Sequence, residues 1–341
     1  MDMQSALKLL TQRTDLTRPQ MQDVMTIIME GEATPAQIGA FLIALNMKGE
    51  TVEEITGAAT VMRGFAAQVN TKASLIVDCV GTGGDGAGLF NVSTASALVV
   101  AAAGITVAKH GNRAATGNSG SADLLEAAGV NISLTPEQVA RCIDEVGIGF
   151  MFAPTHHGAT RHAIGPRREI GVRNVFNLLG PLTNPAGARH LLVGVFNEHW
   201  VRPIAEVFHE LGAVHVLVAH SADGLDEISL ASPTRVAELK DGCISEYELV
   251  PEQFGLSRIG DIRELVVTSA SESLDVVRGL LSGVEGPAAD MVALNAGATL
   301  YAADTTDSLD EGVSRAGDIL RSRQGLDVLE RLAEFSQQLA A

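Results

Sequence analysis

The segment LIVDCV-GTGGDG-AGLF-NVST at residues 75–94 decides the fold. Residues 75–80 form an apolar run typical of a buried strand, the glycine-rich residues 81–86 follow directly, and residues 91–94 open an alanine-rich helix. This order of strand, loop and helix begins a layered α/β domain. Glycines let the backbone approach an anion and a helix N-terminus offers unpaired N–H groups, so the segment predicts a phosphate-binding loop. The alternative is a plain helix cap, which Asn91, Ser93 and Thr94 can form without a ligand.

Outside this segment the chain divides into a helical part and a part that alternates strands with helices. Up to about residue 70 the apolar residues recur at helical spacing, and Thr34-Pro35 and Thr51 stand where helices begin. Beyond it, four more apolar runs predict buried strands of a mostly parallel sheet flanked by helices. These runs are residues 105–108, 149–152, 191–195 and 214–219.

We therefore predict an α/β protein with two unequal domains. A small N-terminal helical domain, residues 1–70, joined by helices from about 165–190, packs on a larger α/β domain, residues 71–341. Past Gly286 the periodicity predicts three more helices, which carry no obvious chemistry. They are residues 289–300, 308–320 and 324–339.

Composition narrows the classes of function. The 24 Lys and Arg against 41 Asp and Glu give a net charge of −17, which opposes binding to nucleic acid and makes any phosphate site a local exception. The N-terminus is too polar for a signal peptide and no run of about 18 apolar residues occurs, so we expect a cytoplasmic protein without membrane spans. Cys79, Cys142 and Cys243 lack zinc or redox spacing and are expected to be reduced core thiols.

A second loop follows the run at residues 105–108. Its sequence, KHGNRAATGNSGS at residues 109–121, brings Lys109 and Arg113 together with hydroxyls and glycines in an otherwise acidic chain. This favours an anionic ligand over an ordinary solvated loop. Neither glycine-rich segment has the spacing of a Walker loop or of a dinucleotide fingerprint, which weakens the ATPase and dehydrogenase interpretations.

Two further clusters carry candidate chemistry. Residues 153–173 form a basic run in which a guanidinium could bind a carboxylate ligand with two parallel hydrogen bonds, or could form a structural ion pair. Asp226 and Glu227, in the loop after residues 214–219, suit magnesium, although a solvated acidic turn is the alternative. The histidines His110, His157 and His162 lack the spacing of a zinc helix, so structural or substrate-lining roles are expected.

In order and spacing, these motifs resemble the anthranilate phosphoribosyltransferases over essentially the full chain. The resemblance rests on GTGGD at residues 81–85, KHGNR at 109–113, NVST at 91–94, the His and Arg residues at 156–162, GPR at 165–167, FNLLGPLTNP at 176–185 and Asp226-Glu227. It implies a fold like that of the nucleoside phosphorylases and phosphoribosyltransferases. It also implies a magnesium-dependent transfer of the phosphoribosyl group of phosphoribosyl pyrophosphate (PRPP) to anthranilate.

The resemblance assigns a role to many residues. The PRPP pocket or its edge would comprise Gly81, Gly84, Asp85, Leu89, Asn91, Val92, Ser93, Thr94, Lys109, His110, Gly111, Asn112, Arg113, Ala114, Ala115, Thr116, Gly117, Ser119 and Ser121. Anthranilate would contact Gly81, Asn112 and Arg167, and magnesium would be held by Ser93, Asp226 and Glu227. Transition-state support would come from Lys109, Asn112 and Arg167, and no single residue is expected to act as general base.

One position departs from the family pattern. Leu89 stands where many members have a Thr that contacts the phosphate, and Leu cannot donate that hydrogen bond. The family resemblance further implies a homodimer formed through the helical region. Two alternatives remain: a pyrimidine nucleoside phosphorylase, whose lysine-containing loop differs from residues 109–113, and a non-catalytic relative that binds nucleic acid, which the net charge opposes.

Overall fold

A computed structural model describes residues 1–114 and 118–340. The chain begins with four helices, three of which start at a threonine that accepts a hydrogen bond from the backbone three residues on. Thr17, Thr34 and Thr51 each form a capping box, and the helix starts predicted at the last two are confirmed. The helices are α1 (Met3–Thr11), α2 (Arg18–Glu30), α3 (Pro35–Lys48) and α4 (Val52–Phe65).

The larger part of the chain is built on one seven-stranded sheet with the order β3-β2-β1-β4-β5-β6-β7. The first five strands are parallel, and β6 and β7 form an antiparallel hairpin at one edge. The strands are β1 (Val77–Gly81), β2 (Val107–Gly111), β3 (Ile148–Phe152), β4 (His190–Gly194), β5 (His215–Ser221), β6 (Thr234–Lys240) and β7 (Cys243–Leu249). All five predicted strands are confirmed, while the hairpin was not predicted.

Helices cover both faces of the sheet. On one face a core joins the sheet to the α1–α4 bundle; Leu191 and Val193 of β4 point into it, whereas Leu192 points into the opposite core, which the C-terminal helices cover. The three helices predicted past Gly286 are confirmed at Pro287–Ala302, Leu309–Ser322 and Gln324–Ala340. The remaining helices are α5 (Val92–Ala102), α6 (Ser121–Ala127), α7 (Pro136–Val146), α8 (Ala153–His156), α9 (Arg161–Ile170), α10 (Phe176–Leu179), α11 (Val201–Glu210), α12 (Ala270–Leu281), α13 (Pro287–Ala302), α14 (Leu309–Ser322) and α15 (Gln324–Ala340).

The structure also shows the surroundings of the three cysteines and the character of the helices. Cys79 and Cys142 are buried free thiols, as predicted, but the prediction for Cys243 was wrong, because this residue is exposed at the start of the edge strand β7. Among the helices of residues 1–114 and 118–340, none is both long enough and apolar enough to cross a membrane.

Candidate active site

Two glycines allow Asp226 to approach the ends of two neighbouring strands. Gly81 of β1 and Gly194 of β4 are paired in register. A Cβ atom at Gly81 would lie 2.3 Å from Asp226 Oδ2, and one at Gly194 would lie 1.5 Å from the Asp226 carbonyl oxygen. Any side chain at either position would therefore displace Asp226. The loop after β5 is thus docked directly against the glycine-rich loop that follows β1.

Asp85, Asp226 and Glu227 form an acidic cluster at this edge of the sheet, with one carboxylate oxygen from each lying within 4.8 Å of the others. Asp226 Oδ2 accepts a hydrogen bond of 2.6 Å from the Gly83 amide. Burial, reinforced by the charge of Asp85, raises the pKa of Asp226 to about 6. Burial and the charge of Asp226 raise the pKa of Glu227 well above its usual range. Such a cluster favours a bound cation.

Lys109 places a cation beside this cluster from the neighbouring strand. Its side chain is only 2% exposed, and Nζ donates to the Cys79 carbonyl oxygen at 2.7 Å and to Ser93 Oγ at 3.3 Å. The ammonium group therefore links the end of β1 to the first turn of α5. A buried lysine held by neutral acceptors is well placed to bind an anion.

The first turn of α5 is capped in the way that the helix-cap alternative anticipated. Asn91 Oδ1 accepts from the Thr94 amide at 2.9 Å. Val92 is turned into the core and its amide donates to the Phe90 carbonyl oxygen, so it offers little to a ligand. Thr94 Oγ1 is buried, and the described part of the chain gives it no hydrogen-bond partner. Leu89 forms a single antiparallel bridge with Val266.

In the second loop some polar side chains are paired with other protein groups, and at least one is buried without a partner among the described residues. Arg113 is paired with Asp123 at 2.9 Å and with Glu126 at 2.8 Å, and about half of its side chain is exposed. Ser121 Oγ donates to the Asn112 carbonyl oxygen, whereas Ser119 Oγ is buried and lacks a partner among the described residues. The predicted binding residues Ala115, Thr116 and Gly117 lie outside the residues that the structure describes.

Contacts inside the second loop explain its remaining predicted residues. The Ala114 amide donates to Asp123 Oδ2 at 3.0 Å. A Cβ atom at Gly111 would lie 2.1 Å from Ser121 Oγ, so only glycine fits at the end of β2. Asn112 is exposed, and its Oδ1 accepts from the Arg113 amide.

In the glycine-rich loop after β1, Gly84 has a φ of +81°, which favours glycine, and its carbonyl oxygen accepts a hydrogen bond from Arg173.

A chain of contacts connects Arg167 with the end of β2. The Arg167 guanidinium lies 5.0 Å from the ring centre of Phe176 in α10, and the carbonyl oxygen of Gly180, just after α10, lies 3.2 Å from His110 Nδ1. The rings of His110 and His157 are 5.0 Å apart. Burial, aided by this proximity, lowers the pKa of His110 to about 3, and burial lowers that of His157 to about 4, so both rings are neutral near pH 7. His162 packs against Gly31 at the end of α2 instead.

Arg167 itself is half-buried on α9, and burial lowers its pKa. No carboxylate of the described chain lies within 4.0 Å of its guanidinium, in contrast to the paired Arg113. This is the arrangement expected of a guanidinium that receives its anion from a ligand, and it argues against the structural ion pair.

Sequence reasoning missed two features of this site. Asp85 was assigned to the PRPP pocket alone, yet its carboxylate joins those of Asp226 and Glu227. Arg173 was not singled out, although it contacts Gly84 of the glycine loop and lies 4.4 Å from the ring centre of Phe196. Its position at the end of the basic run was the only available signal.

Comparison with known proteins identifies the class. The family described as "Glycosyl transferase family, helical bundle domain" matches residues 4–66, and "Glycosyl transferase family, a/b domain" matches residues 73–325. The helical bundle, the sheet and the glycine-rich edge thus define a glycosyltransferase, and the predicted α/β fold class is confirmed.

Individual relatives refine this class. The chain is 56% identical to anthranilate phosphoribosyltransferase from Thioalkalivibrio sulfidiphilus over 98% of this chain and 99% of that protein. It is 45% identical to the crystal structure of the enzyme from Thermus thermophilus, with a TM-score of 0.93 over 97% of this chain and 99% of that one. The chain belongs to the anthranilate phosphoribosyltransferase family.

A more distant relative shares the fold. The anthranilate phosphoribosyltransferase from Saccharomyces cerevisiae, solved in complex with PRPP and Mg, is 24% identical with a TM-score of 0.89, over 98% of each chain. The relatives favour the transferase over the nucleoside phosphorylase and the nucleic-acid-binding alternative.

Proposed function

We propose that this protein transfers the 5-phosphoribosyl group of PRPP to the amino group of anthranilate, releasing pyrophosphate and N-(5-phosphoribosyl)anthranilate. The observation that carries the proposal is the meeting of buried Lys109, the glycine loop and three carboxylates at one sheet edge, connected through α10 to Arg167, which has no carboxylate partner among the described residues. One part of this edge suits a pyrophosphate with its cation, and the other suits a carboxylate. Anthranilate and PRPP together supply both groups.

In this mechanism the chain's own groups act mainly on the leaving group and on orientation. Lys109 Nζ and the free amides of the glycine loop would stabilise the charge that grows on pyrophosphate as the bond to the anomeric carbon breaks. Arg167 and Asn112 would hold anthranilate so that its nitrogen lone pair faces that carbon. The arylamine nitrogen becomes acidic once the new C–N bond has formed and then releases its proton to water, so a strong general base is unnecessary.

The acidic cluster fits magnesium. Glu227 Oε2 is buried without a hydrogen-bond partner among the described residues, and burial together with the close spacing of the carboxylates raises the pKa values of Asp226 and Glu227. We propose that Asp226, Glu227 and Asp85 hold Mg²⁺, with Ser93 as the further predicted ligand. When bound, the ion supplies Lewis-acid stabilisation of the pyrophosphate leaving group.

Magnesium should stabilise the fold more at pH 8 than at pH 5.5. Because the pKa of Asp226 is raised to about 6, its ionisation lowers the free energy of unfolding progressively between about pH 4 and pH 6, and a cation removes this penalty only where the carboxylate is charged. Differential scanning fluorimetry with and without MgCl₂ at both pH values measures the effect. Equal shifts in melting temperature at the two pH values would contradict a role for these carboxylates.

The transfer itself is tested by the loss of anthranilate fluorescence in the presence of PRPP and MgCl₂, with each component omitted in turn. Consumption that requires all three supports the proposal. A folded protein that consumes no anthranilate but cleaves thymidine or uridine in the presence of phosphate would support the phosphorylase alternative instead.

We also propose that the protein forms a homodimer through its helical region. Among the described residues, four large apolar side chains are exposed there: Met47 of α3 is 71% exposed, Val172 is 49%, Ile164 of α9 is 43% and Phe65 of α4 is 38%. Replacing Met47 or Ile164 with Glu should halve the mass measured by light scattering after gel filtration. Val284→Glu, which alters an exposed apolar residue before α13, is the control, and an unchanged mass in the Met47 and Ile164 variants would refute this interface.

A further inference from the structure

A short segment distant in sequence from both phosphate loops pairs with the glycine loop. Residues 265–267, here called the clasp, lie just before α12. The Phe90 amide donates to the Leu265 carbonyl oxygen at 3.1 Å, and the Val267 amide donates to the Gly88 carbonyl oxygen at 3.0 Å. These two bonds enclose the Leu89–Val266 bridge. The C-terminal limb of the glycine loop is therefore held as one strand of a minimal antiparallel pair.

The same clasp also holds the second loop. Asn118 Nδ2 donates to the Val267 carbonyl oxygen at 2.9 Å. A Cβ atom built on Gly88 would lie 3.8 Å from Val266 Cγ1 and 3.9 Å from Asn118 Nδ2, so the three segments meet at one point. Asn118 thus connects the two loops through a third piece of the chain.

The clasp is held in place by burial of its side chains and by the helix that follows it. The side chains of Leu265 and Val267 are buried in the main core. Two residues after Val267, Ser269 caps α12 by accepting from the Glu272 amide. From the same helix, Ser273 Oγ accepts a 3.0 Å hydrogen bond from the Asn91 amide, which precedes the first turn of α5.

The two described ends of the second loop, at Ala114 and Gly120, are joined at its base close to Asn118. Asp123 Oδ2 accepts hydrogen bonds of 3.0 Å from both the Ala114 amide and the Gly120 amide. A Cβ atom at Gly120 would lie 2.3 Å from the Ala114 nitrogen, so the two backbones touch. The bond from Asn118 to the Val267 carbonyl oxygen therefore connects this closed base to the segment that pairs with the glycine loop.

We propose that Asn118 is a positioning residue for PRPP, which sets the separation of the two phosphate loops by bonding to the clasp. This inference rests on the proposed function, since it assumes that both loops hold the same substrate. Asn118 does not need to touch PRPP. A substrate that spans two loops binds best when the loops are held at the correct separation beforehand, because less order is then lost on binding.

The test compares three variants. Asn118→Leu has nearly the same shape but no donor, and it should raise the KM for PRPP about five-fold, the scale of one neutral hydrogen bond, while the KM for anthranilate at saturating PRPP stays unchanged. Asn118→Gln retains the donor and should recover most of the loss. Gln337→Leu is the matched control, since Gln337 Nε2 makes the same kind of bond, 3.0 Å to the Gly129 carbonyl oxygen, far along the chain on α15.

Hydrogen exchange gives a readout that does not depend on activity. In Asn118→Leu the amides of Phe90 and Val267 should exchange faster than in the wild-type protein, and in Gln337→Leu they should not. Faster exchange with an unchanged KM for PRPP overturns the positioning role, because the bond is then merely structural. Unchanged exchange overturns the coupling of the loops. A wild-type protein without transferase activity refutes the proposed function, and exchange still decides whether the clasp couples the loops.

Discussion

Asp226→Asn should lower magnesium-dependent kcat/KM by on the order of 10²–10³-fold, the scale of several kcal/mol of lost stabilisation of the leaving-group charge. The substitution keeps the size of the side chain, and its amide oxygen can still accept from the Gly83 amide. What it removes is the charge that the acidic cluster offers to a cation. The measurement is initial velocity with PRPP varied at saturating anthranilate, repeated at several MgCl₂ concentrations.

The same substitution should make the metal-free protein more stable. Burial and the charge of Asp85 raise the pKa of Asp226 to about 6, so near neutral pH the ionised carboxylate destabilises the fold, and a neutral amide does not. Lower activity with a higher melting temperature separates a lost metal ligand from a damaged fold. A lower melting temperature would instead attribute the loss of activity to misfolding and contradict the assignment.

A matched control for Asp226→Asn lies in the β6–β7 turn. Asp241 has a φ of +51°, a conformation that Asn tolerates well, and its side chain is exposed. Asp241→Asn changes the net charge by the same amount at a place remote from the acidic cluster. It should leave both the magnesium dependence and kcat/KM at wild-type values, so that any effect of Asp226→Asn is attributed to position rather than to charge alone.

The parts of the fold that were predictable from sequence are those in which burial leaves a short, mostly apolar run. The five parallel strands are buried on both faces, so each appears as such a run, although β1 also carries the buried Asp78. The edge strand β7, with the sequence CISEYEL, is mostly exposed or half-exposed, and its polar residues conceal it. The exposed position of Cys243 could not be predicted for the same reason, because it depends on a hairpin that the pattern does not reveal.

The parts of the site formed by local sequence motifs were predictable. The parts that depend on contacts between residues distant in sequence were not. Glycine-rich segments after strands indicated the two loops that we propose to bind phosphate, and adjacent carboxylates indicated the magnesium ligands that we propose. That Asp85 joins Asp226 depends on the docking of the β5 loop against Gly81 and Gly194, which no local pattern contains. The contact between Asn118 and Val267 spans 149 residues and depends on the position of the clasp, which carries no motif of its own.

Arg167→Met should raise the KM for anthranilate by about 10–100-fold, because a hydrogen bond to a charged group contributes about 1.5–3 kcal/mol and the replacement cannot bind a carboxylate. The apolar stem of Met can still pack on Phe176, which limits damage to α9 and α10. Arg167→Lys keeps the positive charge but not the planar guanidinium group. Its KM for anthranilate should therefore lie between those of the wild-type protein and Arg167→Met. Steady-state kinetics with anthranilate varied at saturating PRPP gives these values.

Two comparisons test whether the increase in KM for anthranilate results from losing a contact with the anthranilate carboxylate. Arg168 is the exposed neighbour of Arg167 on the same helix, so Arg168→Met should leave the KM for anthranilate unchanged. Aniline lacks the carboxylate, and if Arg167 acts by binding that group, wild-type protein and Arg167→Met should use aniline equally poorly. The substitution would then reduce the use of anthranilate but not that of aniline. This is the result that a double-mutant cycle gives when the removed side chain and the removed carboxylate interact directly. If Arg167→Met instead impaired aniline as strongly as anthranilate, Arg167 would act on the shape of the site or on PRPP, and its assignment as the anthranilate anchor would be wrong.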